Sequence, residues 1–205
     1  MKKNYLLTLI LVFGIAQMAT SQTYGVFADS TATDDAFVID NATGHLYIWN
    51  NLEAYTAPTY EGSDVLAFEA QTDAWFGFGI ASDNAVDLSA YSEGYLNFAI
   101  KIPASNTTDF DVLLGETQGN EARVTLTSGD EPYGMKRDGN WHFISIPVQD
   151  FMADSSLDMS SLENIFAITS RGTTSGAKFV FDEVCFSTSV PANVPLHGET
   201  ASSGN

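Results

Sequence analysis

The 205-residue chain sets 26 acidic side chains against eight basic ones, for a formal net charge of −18, and is 44% hydrophobic and 12% aromatic. This apolar content excludes disorder for most of the chain, while the negative field disfavours nucleic acid, anionic membranes and strongly anionic glycans such as alginate or sulfated galactans. With Cys185 as its only cysteine the fold cannot rest on an internal disulfide, and that thiol is expected to be buried and inert.

The N-terminus opens with Lys2 and Lys3, then the apolar run Leu6–Ile15, then the small residues Ala19-Thr20-Ser21. That order is the pattern of an export signal, so residues 1–21 are expected to be removed and the rest secreted to the periplasm or the extracellular space. The apolar run is about half of the roughly 20 residues that a bilayer-spanning helix needs, so membrane insertion is not expected. No cysteine stands near the cleavage site to carry a lipid. Six basic residues (Lys101, Arg123, Lys136, Arg137, Arg171 and Lys178) then face all 26 acidic ones. Residues 22–188 are read as one domain. Residues 189–205, polar and poor in large apolar groups, are read as a flexible linker or tail.

Along the domain, short runs of period-two alternation recur between Gly, Asn, Asp and Ser clusters, and no long apolar repeat at helical spacing appears. Strands are expected near 24–29, 35–39, 45–49, 64–70, 74–81, 95–102, 109–116, 121–127, 141–148, 165–170 and 178–187, with a helical turn at Ser160–Asn164. In 95–102, Leu96, Phe98, Ile100 and Ile102 share one face, with Tyr95, Asn97, Ala99 and Lys101 on the other. The same rule turns Phe110, Val112 and Leu114 inward with Asp109 and Asp111 outward, and Ala122, Val124 and Leu126 inward with Glu121, Arg123 and Thr125 outward. The fold class is therefore all-β: a jelly-roll sandwich of two antiparallel sheets, which buries such one-sided strands.

Catalytic chemistry finds little support. The paired carboxylates of a jelly-roll hydrolase, in the Glu-x-Asp-x-x-Glu arrangement, are missing. Asp182 and Glu183 are adjacent, so a regular strand would point them to opposite faces; Asp109 and Asp111 share a face but read as a solvated one. His45, His142 and His197 lie too far apart in sequence for a zinc cluster, and no Gly-x-Ser-x-Gly elbow occurs. The segment Asp29–Asp35 gathers oxygen ligands of the kind calcium takes, and equally reads as an acidic turn.

Saccharide binding needs flat aromatic surfaces beside planar hydrogen-bonding groups, and here candidates exist. In Trp75-Phe76-Gly77-Phe78-Gly79-Ile80 either Trp75 projects outward beside flat glycine backbone on which a sugar could rest, or Trp75 is core and the phenylalanines are outside. Tyr47 and Trp49 share a face and serve either the core or a ligand surface. Lys101, Asp111 and Arg123 are expected on the outward faces of strands in one sheet, where they could converge; Arg171 and the Lys136-Arg137 pair could edge a site.

Val86-Asp87-Leu88-Ser89, the strand Tyr95–Ile102, Asp138-Gly139-Asn140-Trp141-His142-Phe143-Ile144-Ser145-Ile146-Pro147 and Phe179-Val180-Phe181-Asp182-Glu183-Val184-Cys185-Phe186 together resemble the galactose-binding-like sandwich of carbohydrate-binding modules. They are particularly similar to the accessory domain of bacterial exo-acting β-glucan glucohydrolases, over about residues 24–187. The resemblance implies a non-catalytic module for a neutral polysaccharide such as a β-glucan, either tethered to a glycoside hydrolase or cooperating with one. It also implies a structural calcium held by Asp182 with Asp29 as its early partner, and a core role for Trp141. The alternatives are a polysaccharide lyase or hydrolase with an unrecognised site, and a cell-surface adhesion domain.

Overall fold

The computed structural model describes residues 21–116, 120–153, 156–170, 172 and 175–191. The expected signal segment, except Ser21, and residues 192–205 of the expected tail, with His197, lie outside the described residues, as does Arg171.

Twelve strands run in chain order: β1 Thr23–Phe27, β2 Asp35–Ala36, β3 Gly44–Asn50, β4 Leu52–Ala54, β5 Leu66–Ala70, β6 Phe76–Val86, β7 Tyr95–Lys101, β8 Phe110–Gly115, β9 Glu121–Leu126, β10 Trp141–Pro147, β11 Leu162–Ser170 and β12 Lys178–Ser187. One sheet has seven strands, with the order β10-β7-β12-β1-β2 and with β5 and then β4 continuing from β12; the other has five, in the order β3-β6-β11-β8-β9. Every pairing is antiparallel except the two-residue contact of β1 with β2. β4 has no counterpart among the expected strands. The one α-helix among the described residues, α1, spans Val148–Met152. The helical turn expected at Ser160–Asn164 is instead the entry to β11, because Leu162 and Ile165 are claimed by the core.

The core lies between the sheets and is built on phenylalanine. Phe78, Phe98, Phe166 and Phe181 pack with ring centroids 5.3–6.1 Å apart, in tilted and edge-to-face arrangements that suit the ring quadrupoles. Leu96, Ile100, Val112, Leu114 and Leu126 are fully buried beside them. The alternation read from β7, β8 and β9 thus gives the inner faces as they stand.

The outer face of the seven-stranded sheet is partly covered by the loop between β4 and β5. Tyr60, almost wholly buried, packs against Trp141 at 5.6 Å and Phe143 at 6.3 Å. Trp141 pairs across β10 and β7 with Lys101, whose chain neighbours Ile100 and Ile102 are fully buried core residues. It therefore sits on the outer side of its sheet under Tyr60, not in the inter-sheet core that the resemblance implied.

Candidate functional site

The outer face of the five-stranded sheet assembles in rows that cross all five strands. One row runs Trp49, Gly77, Thr169, Asp111, Thr125, and the next runs Tyr47, Gly79, Ala167, Leu113, Arg123. A third begins at His45 and Ala81 and reaches Asn164, Gly115 and Glu121. Aromatic side chains stand at the β3 edge and Arg123 and Glu121 at the β9 edge, with Gly77, Gly79, Ala81, Ala167 and Thr169 on the two strands next to β3. At a strand spacing of ~4.8 Å the rows span roughly 20 Å. The result is a groove of about 310 Å³ lined by Trp49, Trp75, Leu113, Glu121, Arg123, Asn164, Ala167 and Thr169.

At the aromatic end, Phe76, Phe78 and Ile80 are buried and Trp75, just before β6, is 48% exposed. Of the two readings of this segment the outward tryptophan stands. Its position is set by two asparagines: Asn51 Nδ2 donates to the carbonyls of Ala74 and Trp75, each at 3.0 Å, and Asn50 Nδ2 also donates to the Trp75 carbonyl. Tyr47 and Trp49 face outward too. Tyr47 is 43% exposed and packs on the His45 ring at 5.4 Å, while His45 Nε2 lies 3.2 Å from Asp83. The glycine floor is not open to a sugar, however. The six-membered ring of Trp49 fills the space above Gly77 and Gly79, so that β-carbons added there would lie 2.8 and 2.7 Å from its atoms.

At the polar end, Arg123 Nη2 donates to Glu121 Oε2 at 2.7 Å, and Nη1 lies 3.7 Å from Asp111 Oδ2. Its guanidinium is half exposed. Asp111, expected on a solvated face, is buried between its cross-strand neighbours Thr169 and Thr125 and accepts a 2.7 Å bond from Thr125 Oγ1. It lies beneath the Arg123 guanidinium, which is the more exposed of the two groups.

Lys101 does not join this set. β7 lies between β10 and β12 in the seven-stranded sheet, whereas β8 and β9 belong to the five-stranded one. Residues 102–109 carry the chain from one sheet to the other, so strands consecutive in sequence lie in different layers. Arg137 is likewise structural: it donates to the carbonyls of Asn106 and Thr108 at 2.9 Å and its guanidinium lies over the Phe110 ring at 5.6 Å. Lys136 is exposed. Strand alternation places Glu121 on the correct face but gives it no role, and the expected helical turn hides Asn164. Leu113, Ala167 and Thr169 are floor residues whose only signal was strand alternation.

The carboxylates of the resemblance occupy the opposite sheet. β12 carries a bulge between Asp182 and Cys185, where Glu183 adopts φ 51°. The extra residue breaks the alternation, so the expectation of opposite facing for Asp182 and Glu183 fails, and both carboxyls meet the 60–61 segment. Asp182 accepts the N–H groups of Tyr60, Glu61 and Glu183 at 2.7, 3.3 and 2.8 Å, and Glu183 Oε2 accepts Thr31 Oγ1 at 2.7 Å. Burial, reinforced by Glu61 and Asp182, pushes the Glu183 carboxyl up to about 7; burial also raises Asp182. Asp29 meets the same loop: its Oδ2 accepts Ser63 and Asp64 N–H at 2.6 and 3.0 Å, and its own N–H donates to Glu61 Oε1 at 2.9 Å. The donor chemistry suits calcium, but these oxygens already accept backbone N–H groups. Among the described residues no group of three or more His, Cys, Asp or Glu is arranged to hold a metal.

A two-sheet sandwich with an aromatic groove crossing one sheet is an architecture suited to binding carbohydrate. The chain belongs to the family of carbohydrate binding domain 30, whose model matches residues 23–188. It is a non-catalytic module for carbohydrate. Among solved structures it is similar to a family 30 carbohydrate binding module at 23% identity, with a TM-score of 0.57 over 72% of this chain and 80% of that one. It is also similar to the family 30 module of the cellulosomal cellulase Cel9D-Cel44B of Clostridium thermocellum, at 25% identity and TM-score 0.54 over 71% and 87%. An exo-1,3/1,4-beta-glucanase from a Pseudoalteromonas species aligns at 16% identity and TM-score 0.47, over 84% of this chain and 19% of the enzyme. No curated protein matches the chain by sequence.

Proposed function

We propose that the groove on the five-stranded sheet binds a neutral polysaccharide of the β-glucan class, in a secreted protein that works beside a glycoside hydrolase. The observation that carries this reading is the pairing of Trp49 and Trp75 at one end of a flat-floored groove with the Arg123–Glu121 pair and Asn164 at the other. Pyranose rings present apolar faces to the indoles and hydroxyls to the planar polar groups. The span of roughly 20 Å suits a chain segment better than a single sugar. Support for a glucan and for a hydrolase partner comes from the similar module of a cellulosomal cellulase; support for export comes from the N-terminal pattern of Lys2, Lys3 and Leu6–Ile15. A structural calcium held by Asp182 with Asp29 would share oxygens with the amide hydrogen bonds that these carboxylates accept.

Calorimetric titration with soluble mixed-linkage β-glucan tests the reading. Binding in the micromolar to millimolar range is expected. Trp75→Ala should weaken it about tenfold, a loss of ~1.4 kcal/mol, while leaving Tm within a few degrees, because Trp75 is half exposed. Equal affinity of the variant and the parent would refute the assignment.

A further inference from the structure

We infer that Gly79, with Gly77, is a positioning residue for glycan binding: the two glycines form the bed that fixes the Trp49 ring as a preorganised platform. This rests on the groove reading above. β3 runs along β6 with Trp49 opposite Gly77 and Tyr47 opposite Gly79. The Trp49 ring reaches along the neighbouring strand over both glycines: Cε3 lies 2.8 Å from the place of a β-carbon on Gly77, and Cη2 lies 2.7 Å from that on Gly79. Real β-carbons do not approach that closely, so any other residue at either position displaces the ring. Neither glycine has a positive φ, and both lie inside a regular strand. Backbone freedom therefore does not call for glycine here; the close approach of the indole does.

The arrangement has a binding consequence. A tryptophan on an edge strand has one strand neighbour, and without a seat its ring would sample several rotamers, each ordering event counting against affinity. Seated on glycine, the ring is held low, beside Ala167 and Thr169, and the groove keeps its depth. The two positions differ as tests. A β-carbon on Gly77 also meets the Ile168 carbonyl at 2.8 Å and would strain the sheet, whereas the nearest atoms to one on Gly79 belong to the Trp49 ring, with the Ala167 Cβ next at 3.1 Å.

The experiment is a double-mutant cycle on the full chain with soluble mixed-linkage β-glucan as probe, using Gly79→Ala, Trp49→Ala and the double variant, with Trp75→Ala as control. Gly79→Ala is expected to weaken binding about tenfold, as does Trp49→Ala, to shift the tryptophan emission and near-ultraviolet dichroism, and to keep a cooperative thermal transition. In the Trp49→Ala background the glycine substitution is expected to cost less than about twofold. Wild-type affinity in Gly79→Ala, or losses that simply add in the double variant, would overturn the inference while Trp75→Ala and Trp49→Ala still uphold the groove. Unchanged binding in both tryptophan variants would overturn the groove reading, and this inference with it.

Discussion

Glu183 shows how one backbone conformation decides a side chain's chemistry. At φ 51° it is the extra residue of the β12 bulge, and its carboxyl is buried beside Asp182 and Glu61. Its pKa in the fold, about 7, lies above that of an exposed glutamate. The native state therefore holds a proton that the unfolded chain releases at lower pH. Stability from this group is intact below about pH 4.5 and declines as pH rises towards 7, after which the loss is constant. Glu183→Gln keeps an acceptor for Thr31 and removes the titration. It should stabilise the protein by ~2 kcal/mol at about pH 8, less than the full shift because solvent screens part of the interaction, and change little at about pH 4. Urea midpoints of both proteins at the two pH values check this; a variant less stable than the parent at the higher pH would show that the ionised carboxylate is needed.

At the scale of elements, the loop joining β5 to β6 is held by several side chains, Asn51 making the most bonds to it. Asn51, in the turn between β3 and β4, donates to the carbonyls of Ala74 and Trp75 and accepts the N–H of Gln71 at 3.1 Å. A short polar residue that looks like turn punctuation in sequence thus fixes the backbone under an exposed tryptophan. Asn51→Ala should lower stability by ~1–2 kcal/mol and weaken glucan binding about threefold, since Trp75 remains but loses its fixed orientation. Thermal melting and calorimetry on the one variant separate the two effects. The bulge in β12 and the register shifts around Asn164 in β11 were invisible to alternation, which assumes an unbroken period of two. That is why the outward groups of β8 and β9 were legible, while Asn164 and the shared facing of Asp182 and Glu183 were not.

For the whole molecule, the relevant quantity is charge. With a net charge of −18 the protein repels polyanions at long range, yet the groove proposed for the glycan is lined by indoles and by neutral or internally paired polar groups. Affinity for a neutral β-glucan should change less than about twofold between low salt and roughly 0.5 M salt, and alginate should not bind at either. A steep salt dependence would point to charge recognition through Arg123 or another cation.

Strand alternation by itself determined that this chain is an all-β sandwich and which faces of β7, β8 and β9 enter its core. Those properties follow from the period-two geometry of an extended chain, which each strand expresses locally. The tertiary structure alone decided that Lys101 lies on the sheet opposite Arg123, that Asp111 is buried, that Trp141 packs outside the core and that Trp49 rests on two glycines. Strand order and cross-strand register set these, and they arise from contacts between residues far apart in the chain, where hydrophobic pattern carries no address.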